Sequence, residues 1–306
     1  MIVDILLSTY NGEKYLAEQI QSILDQTNSE WRLLIRDDGS QDKTTEILKE
    51  YEKKYLGRII VVRDEINNLG STNSFLYLLS KSAADLVFFC DQDDVWKKTK
   101  IEYFISEYKK YFHDESISKP CLCFSGVTVV DEKLKPKSET KKFNLHKGKN
   151  NNNAVWNVLQ NDVTGCAMMI NKALKDLCLS CKTPAAIHHD WYLSLLATIC
   201  GGKRYLPEET VFYRQHGNNI VGIKKNSFIQ TVKDVVHRQR KYPYYAQVAS
   251  ALKTNIKIKD EKLRVKLCEF SELGCKPKTK RVLWHIKNRF LRSGNVFIKI
   301  YQLIIC

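Results

Sequence analysis

Four times between Ile2 and Tyr108, a short apolar run gives way to a polar loop and then to apolar positions spaced three and four apart. Ile2 to Ser8 reads IVDILLS, ends in Thr9-Tyr10-Asn11-Gly12, and is followed by Leu16, Ile20, Ile23 and Leu24 on one helical face. Trp31 to Ile35 ends in Arg36-Asp37-Asp38-Gly39-Ser40, before a helix aligning Ile47, Leu48 and Tyr51. Ile59 to Val62 leads through Asn67-Asn68-Leu69-Gly70 into a helix around Phe75 to Leu79. Leu86 to Cys90 runs into Asp91 and precedes a helix carrying Ile101, Phe104, Ile105 and Tyr108. Successive strand-helix units predict an α/β fold with a doubly wound, mostly parallel, Rossmann-like sheet. Ligands of such sheets bind beyond the carboxyl ends of the strands, so the polar loops are the binding candidates.

The pattern changes further along. Pro120 to Val130 predicts another strand, and Asp131 to Asn153, dominated by Lys and Asn, predicts a loop over the site. A helix begins near Asn171, and His188-His189-Asp190-Trp191 opens an apolar helix from Tyr192 to Cys200. Residues 226–275 read as helical, so the chain is expected to comprise a strand-helix part, 1–224, and a C-terminal helical extension, 225–306. In the last segment Leu283, Ile286, Phe290, Phe297, Ile300 and Ile304 share one helical face, with Arg281, Arg292 and Lys299 away from it. A basic amphipathic helix of this kind suits an anionic membrane interface. Its other reading is a packing helix with a solvated charged face.

Charge sharpens this division. The 306 residues carry a net +15, yet residues 1–100 hold 13 Lys and Arg against 17 Asp and Glu, a net of −4. Residues 225–306 hold 19 against 5, a net of +14, which points to a polyanionic surface as partner. No charged leader followed by an apolar segment precedes the first strand, and no apolar run is long enough to span a membrane. The expected location is therefore the cytoplasm, with peripheral association at the inner face of the cell membrane. The ten cysteines are scattered through apparent core elements and are expected to be reduced thiols. Cys178 and Cys181 form a CxxC without a second pair beside it, which argues against zinc.

Chemistry concentrates where Leu86 to Cys90 drives into Asp91, Asp93 and Asp94. Clustered carboxylates raise one another's pKa unless a cation sits between them. Mg2+ takes one or two carboxylates and completes its shell with phosphate oxygens and water, so a metal with a phosphate-bearing substrate fits the cluster. The competing reading is that these acids cap a following helix. Asp37-Asp38-Gly39-Ser40 likewise reads either as a binding loop or as turn chemistry. Neither GxGxxG after the first strand nor GxxxxGK[ST] is present.

Taken together, STYNGEKYLAEQIQSIL, LLIRDDGSQDKT and FFCDQDDVW, in this order and spacing, resemble the inverting family 2 glycosyltransferases of the GT-A fold, which use nucleotide-diphosphate sugars. The resemblance covers about residues 1–220 and implies roles for particular residues. Ser8 and Tyr10 of the first loop, Asp38, Asn73, Asp91 and Arg214 would hold the nucleotide sugar. Asp93, with Asp91 and His216, would hold Mg2+ or Mn2+. Thr164, Gly165 and Trp191 would lie on the acceptor side, and Asp190 would be the catalytic base. Asp190 also stands at a helix start, where the dipole favours its ionised form, and an attacking hydroxyl must lose its proton; the competing reading is that Asp190 only caps the helix and Trp191 only packs in the core. The segments YRQH (Tyr213 to His216), TGCAMMINK and HDWYLSLLA are similar to bacterial rhamnosyltransferases of cell-surface polysaccharides, implying dTDP-L-rhamnose as donor and a lipid-linked saccharide as acceptor. A UDP-hexose donor is the alternative. The basic, tyrosine-containing tail also raises a nucleic-acid-binding class, but the acidic strand ends would repel phosphate unless metal intervened, and no nucleic-acid partner is expected.

Overall fold

The computed structural model describes residues 1–112, 119–144, 153–217 and 243–288. The repeating pattern becomes β1 (Val3–Thr9), α1 (Leu16–Leu24), β2 (Arg32–Asp37), α2 (Thr44–Lys54), β3 (Ile59–Val61), α3 (Gly70–Lys81) and β4 (Leu86–Cys90). A two-residue strand, β5 (Val95–Trp96), then precedes α4 (Lys100–Tyr111). Next come β6 (Leu122–Val130), α5 (Glu139–Asn144), α6 (Ala154–Leu159), β7 (Met168–Asn171), α7 (Lys172–Leu179), α8 (His189–Ile199) and β8 (Lys203–Arg214). The C-terminal part contributes α9 (Pro243–Leu252), α10 (Glu261–Glu272) and α11 (Lys278–Lys287).

The strands form one eight-stranded sheet in the order β3-β2-β1-β4-β7-β6-β8-β5. β1, β2, β3 and β4 pair in parallel, as do β6 and β8, whereas β7 runs antiparallel to both β4 and β6, and β5 to β8. Each central strand is apolar on both faces because both are covered. On β1, Ile5 and Leu7 face a layer built from Leu16 and Ile20 of α1, Leu48 of α2 and Phe104 of α4. Leu6 faces the other layer, with Phe75 of α3, Leu174 of α7 and Leu196 of α8. Val248 and Ala251 of α9 and Leu267 and Phe270 of α10 belong to that same second core. Fully burying side chains of this size stabilises by about 1.5–3 kcal/mol each.

The chain turns outward from β1 to β2 and β3, then crosses back to place β4 on the other side of β1. The carboxyl ends of β1 and β4 therefore flank the point where strand order reverses, the usual place for a ligand crevice. Two expectations are modified. The polar stretch from Asp131 contains α5, packed on β6 through Asn144, whose side-chain amide donates to Val127 O at 2.8 Å. No helix follows the DQDD acids directly: α4 begins at Lys100 beyond β5, so the helix-capping reading of Asp91, Asp93 and Asp94 falls away. Residues 145–152 of the polar stretch, the 224/225 boundary, and Phe290, Arg292, Phe297, Lys299, Ile300 and Ile304 lie outside the described residues.

Candidate active site

Three strand-end loops are tied to one another by hydrogen bonds between side chain and backbone. From the DQDD turn, Gln92 accepts from Tyr10 N at 2.9 Å and donates to Tyr10 O at 3.0 Å, clasping the loop after β1. Asn11, held at φ +48°, donates its N–H to Ser40 Oγ at 2.8 Å, and its side chain accepts from Gln41 N at 2.8 Å. Gly12 N donates to Thr44 Oγ1 at 2.8 Å. A Cβ on Gly12 would lie 2.4 Å from Gln92 Oε1, so the clasp requires glycine there.

Asp37 and Asp38 divide the two readings of their loop. Asp37 is turn chemistry, accepting from Gly39 N at 3.2 Å and Ser40 N at 2.9 Å. Asp38 is buried; its Oδ1 accepts from Leu69 N at 2.8 Å and Arg36 Nη1 at 2.6 Å, and its Oδ2 from Gly70 N at 2.8 Å. It thus caps α3 from the neighbouring loop. Ser8 is the half-buried residue opposite Arg36 on β1, Tyr10 is exposed, and Asn73 stands exposed in the first turn of α3 with its amide donating to Leu69 O at 3.1 Å.

Past β4 the acids separate. Asp93 Oδ2 lies 2.8 Å from His216 Nε2, so residues far apart in sequence meet at one point. The Tyr15 ring stands 5.0 Å from the His216 ring and 4.5 Å from the Arg214 guanidinium. Asp91 is pushed up to about 7 by burial first, then by the charges of Asp93 and Asp190. Asp94 turns inward, fully buried, and its Oδ1 accepts from Arg214 N at 3.0 Å. Burial, then Asp93 and Asp91, raises its pKa as well. Beneath these acids lies Lys100, also fully buried, with its ammonium donating to Cys166 O and 3.4 Å from the centre of the Trp96 ring. Burial brings it down to about 8, against the opposing pull of nearby acids.

Asp93 and His216 bring a carboxylate oxygen and an imidazole nitrogen together, donor types that a divalent cation such as Mg2+ or Mn2+ accepts, while Asp91 lies close enough for the Asp93 charge to raise its pKa. Asp91, Asp94 and Cys166 also place ligand atoms within 4.8 Å of one another, but Asp94 and Cys166 are buried and burial pushes the thiol well up, which suits a packed interior better than a hard cation.

The elements expected on the acceptor side close against this cluster. A Cβ on Gly165 would lie 2.9 Å from His189 Nε2 and 3.7 Å from Asp190 Cβ, so the Thr164-Gly165 turn rests directly on the start of α8. Asp190 occupies the first turn of α8; the N-cap is His188, so Asp190 is not the cap. Its Oδ1 accepts from Trp191 N at 2.7 Å, and its charge reaches Asp91. His189 packs 4.1 Å from Phe75 and 5.3 Å from Phe89, and burial drops its pKa to about 3, holding it neutral. Behind the turn, buried Asp162 pairs with Lys203 of β8.

Two side chains stand elsewhere than their assigned roles required. Arg214 is buried, not open to a diphosphate: Nε donates to Asp93 O at 2.7 Å, and the remaining guanidinium nitrogens bind Glu132 O and the Glu18 carboxylate. It fixes the DQDD turn. Trp191 faces the core instead of an acceptor, because its indole N–H donates to Asn157 O at 2.6 Å and its ring packs 5.4 Å from Tyr244. Sequence reasoning missed Gln92, Tyr15 and Lys100, whose roles depend on contacts across the sheet edge that periodicity does not encode. Among the described residues all nine cysteines are unpaired, Cys178 and Cys181 included.

Comparison with known proteins agrees with this architecture. The model of the family described as Glycosyl transferase family 2 matches residues 4–178. The dTDP-rhamnosyl transferase RfbG of Shigella flexneri is 28% identical over 236 residues, covering 71% of this chain and 73% of that one. The putative teichuronic acid biosynthesis glycosyltransferase TuaG of Bacillus subtilis is 38% identical over 101 residues, 33% of this chain and 39% of that one. Of solved structures, S. aureus TarS 1-349 superposes with a TM-score of 0.56 at 16% identity, over 92% of this chain and 75% of that one. The sheet and its flanking helices are therefore a GT-A fold. With over half of its length matched by the family model, the chain belongs to glycosyl transferase family 2.

Proposed function

We propose that this chain is a metal-dependent, inverting glycosyltransferase that moves L-rhamnose from dTDP-L-rhamnose onto a hydroxyl of a lipid-linked saccharide during cell-surface polysaccharide synthesis. The observation that carries the reading is the meeting of Asp93 with His216, beside Asp91 and within electrostatic reach of Asp190, at the strand-order reversal. The rhamnosyl donor draws its support from the relative RfbG, whose match spans most of both chains.

In this reading Asp93 and His216, with Asp91 nearby, would hold a divalent cation, which would offset charge developing on the departing nucleoside diphosphate. Asp190 takes the proton of the acceptor hydroxyl as its oxygen bonds to the anomeric carbon and the bond to the diphosphate breaks, inverting the centre in one displacement. Gln92 and Arg214 keep the DQDD turn rigid against the first loop and β8. Gly165 keeps the acceptor-side turn close to Asp190.

A lipid-linked acceptor calls for a membrane-facing surface, and α11 offers one. Leu283 is 66% and Ile286 52% exposed beside exposed Lys280 and Lys287, while Arg281 and His285 are buried. His285 faces inward to Tyr245, Nε2 to Oη 3.2 Å. An exposed apolar pair flanked by lysines suits an anionic lipid surface. No helix among the described residues is long and apolar enough to cross a membrane.

A thermal-shift panel of dTDP-L-rhamnose, UDP-glucose, UDP-galactose, UDP-N-acetylglucosamine and GDP-mannose, each with and without Mg2+ or Mn2+, tests donor and metal together. A ligand that binds only the native state raises its apparent stability. The expected result is a metal-dependent shift with dTDP-L-rhamnose. A shift with a UDP sugar instead would keep the mechanism and discard the donor, and no metal-dependent shift with any donor would count against the metal site.

A further inference from the structure

The irregular segment 182–188 leads into the helix that carries Asp190, and two of its backbone N–H groups find their acceptors on a C-terminal helix. Ile187 N donates to Gln247 Oε1 at 2.9 Å, and Ala185 N to Ser250 Oγ at 3.2 Å. Both acceptors lie on α9, about 60 residues further along the chain; Gln247 is fully buried and Ser250 nearly so. One face of the same helix places Tyr244 against Trp191, and just beyond its end Asn255 N donates to Ser180 Oγ at 3.0 Å. The segment is thus pinned at two places after Pro184, and the chain just before it is held at Ser180, in each case by groups outside the strand-helix repeat. The bond to Gln247 is partly buried, and an amide left there without its acceptor costs toward the low end of about 1–3 kcal/mol, so this bond helps fix the backbone conformation three residues before Asp190.

We propose that Gln247 is a positioning residue for sugar transfer: by holding Ile187 it sets the first turn of α8, and so the place of the Asp190 carboxylate relative to Gly165 and Asp91. The C-terminal helices then belong to the catalytic unit. This rests on Asp190 being the base. Gln247 acts only through that segment and touches neither donor nor metal residues in the structure.

The test compares full-length wild type with Gln247→Leu, Gln247→Glu and Asp190→Asn. Two properties are read: amide hydrogen exchange across 182–190, and nucleoside diphosphate release from dTDP-L-rhamnose with Mn2+. In Gln247→Leu, loss of the bond is expected to speed Ile187 exchange about tenfold and to lower kcat about tenfold, the equivalent of about 1.4 kcal/mol, with donor KM and donor-induced thermal shift unchanged. Gln247→Glu, which keeps an acceptor oxygen, is expected to restore both. Wild-type exchange at Ile187, faster exchange with unchanged kcat, or a change confined to donor KM would each overturn the proposal. Should Gln247→Leu fail to fold, Gln247→Asn, which withdraws the acceptor by one methylene, reads the same bond. Loss of turnover in Asp190→Asn with normal turnover in Gln247→Leu would sink this inference alone. Normal turnover in Asp190→Asn would instead sink the assignment of the base.

Discussion

At the scale of single residues, the polar groups around the crevice divide into those facing it and those holding the first kind in place. Asp38 and Arg36 show the division. Arg36 is fully buried, and its guanidinium binds Asp38, Ser74 and Ile66 O, and forms a two-pronged pair with Asp64 at 2.9 and 3.1 Å. The acidic pair DD was legible as important, but whether it bound ligand or built the turn depended on Arg36 and on the N–H groups of Leu69 and Gly70, which no local spacing reveals. Burial works to raise the pKa of Asp64, and hydrogen bonds from Arg36 and Ile66 N outweigh it, leaving it below the ordinary carboxylate value. Its contribution to stability is therefore complete above the unfolded value near pH ~4 and is lost as pH falls through the lower folded value. Asp64→Asn is expected to cost about 3 kcal/mol at neutral pH by leaving a buried cation short of a partner, and to flatten the acid limb of a stability-against-pH curve. Urea unfolding at several pH values checks it; a variant as stable as wild type would show the pair to be dispensable.

At the scale of elements, the strand-helix repeat and the crevice at its carboxyl edge were readable, because strands covered on both faces leave continuous apolar runs and their helices keep a 3.6-residue period. β7 and β8 were not. MMIN has four buried positions without alternation, and β8 is interrupted around Pro207 to Glu209, where its register against β6 shifts. Without β8 the meeting of His216 with Asp93 had no geometric basis, and only the resemblance suggested it. The loops themselves act as one unit through the Gln92 clasp. In Gly12→Ala the new Cβ would displace the Gln92 amide, breaking both of its bonds to Tyr10. Because a side chain can swing away, the expected stability loss is small, about 1 kcal/mol, whereas donor affinity should fall about tenfold as the first loop loosens. Calorimetric titration with donor and Mn2+ reads the affinity; an unchanged value would mean that the clasp does not shape the donor site.

At the scale of the whole molecule, the sequence division at 224/225 follows charge and motif content, while the core follows packing. Phe270 of α10 is fully buried, 4.8 Å from the Tyr245 ring, in the same cluster as Phe75, Leu193 and Phe89. Phe270→Ala is accordingly expected to cost about 3–5 kcal/mol and to shift a single cooperative unfolding transition, followed by urea denaturation with two probes. Two separated transitions, only one of them moved, would show that the C-terminal helices fold on their own. A shared core also explains how elements from five regions of the chain come to surround one crevice: the loops after β1 and β2, the DQDD turn, the end of β8 and the start of α8. The claim that this crevice transfers a sugar with Asp190 as base is tested most directly by Asp190→Asn, assayed side by side for donor-induced thermal shift and for transfer. The account predicts a shift like that of wild type with transfer reduced at least about a hundredfold, the lower range for loss of a general base. Turnover near the wild-type rate in that variant would contradict it.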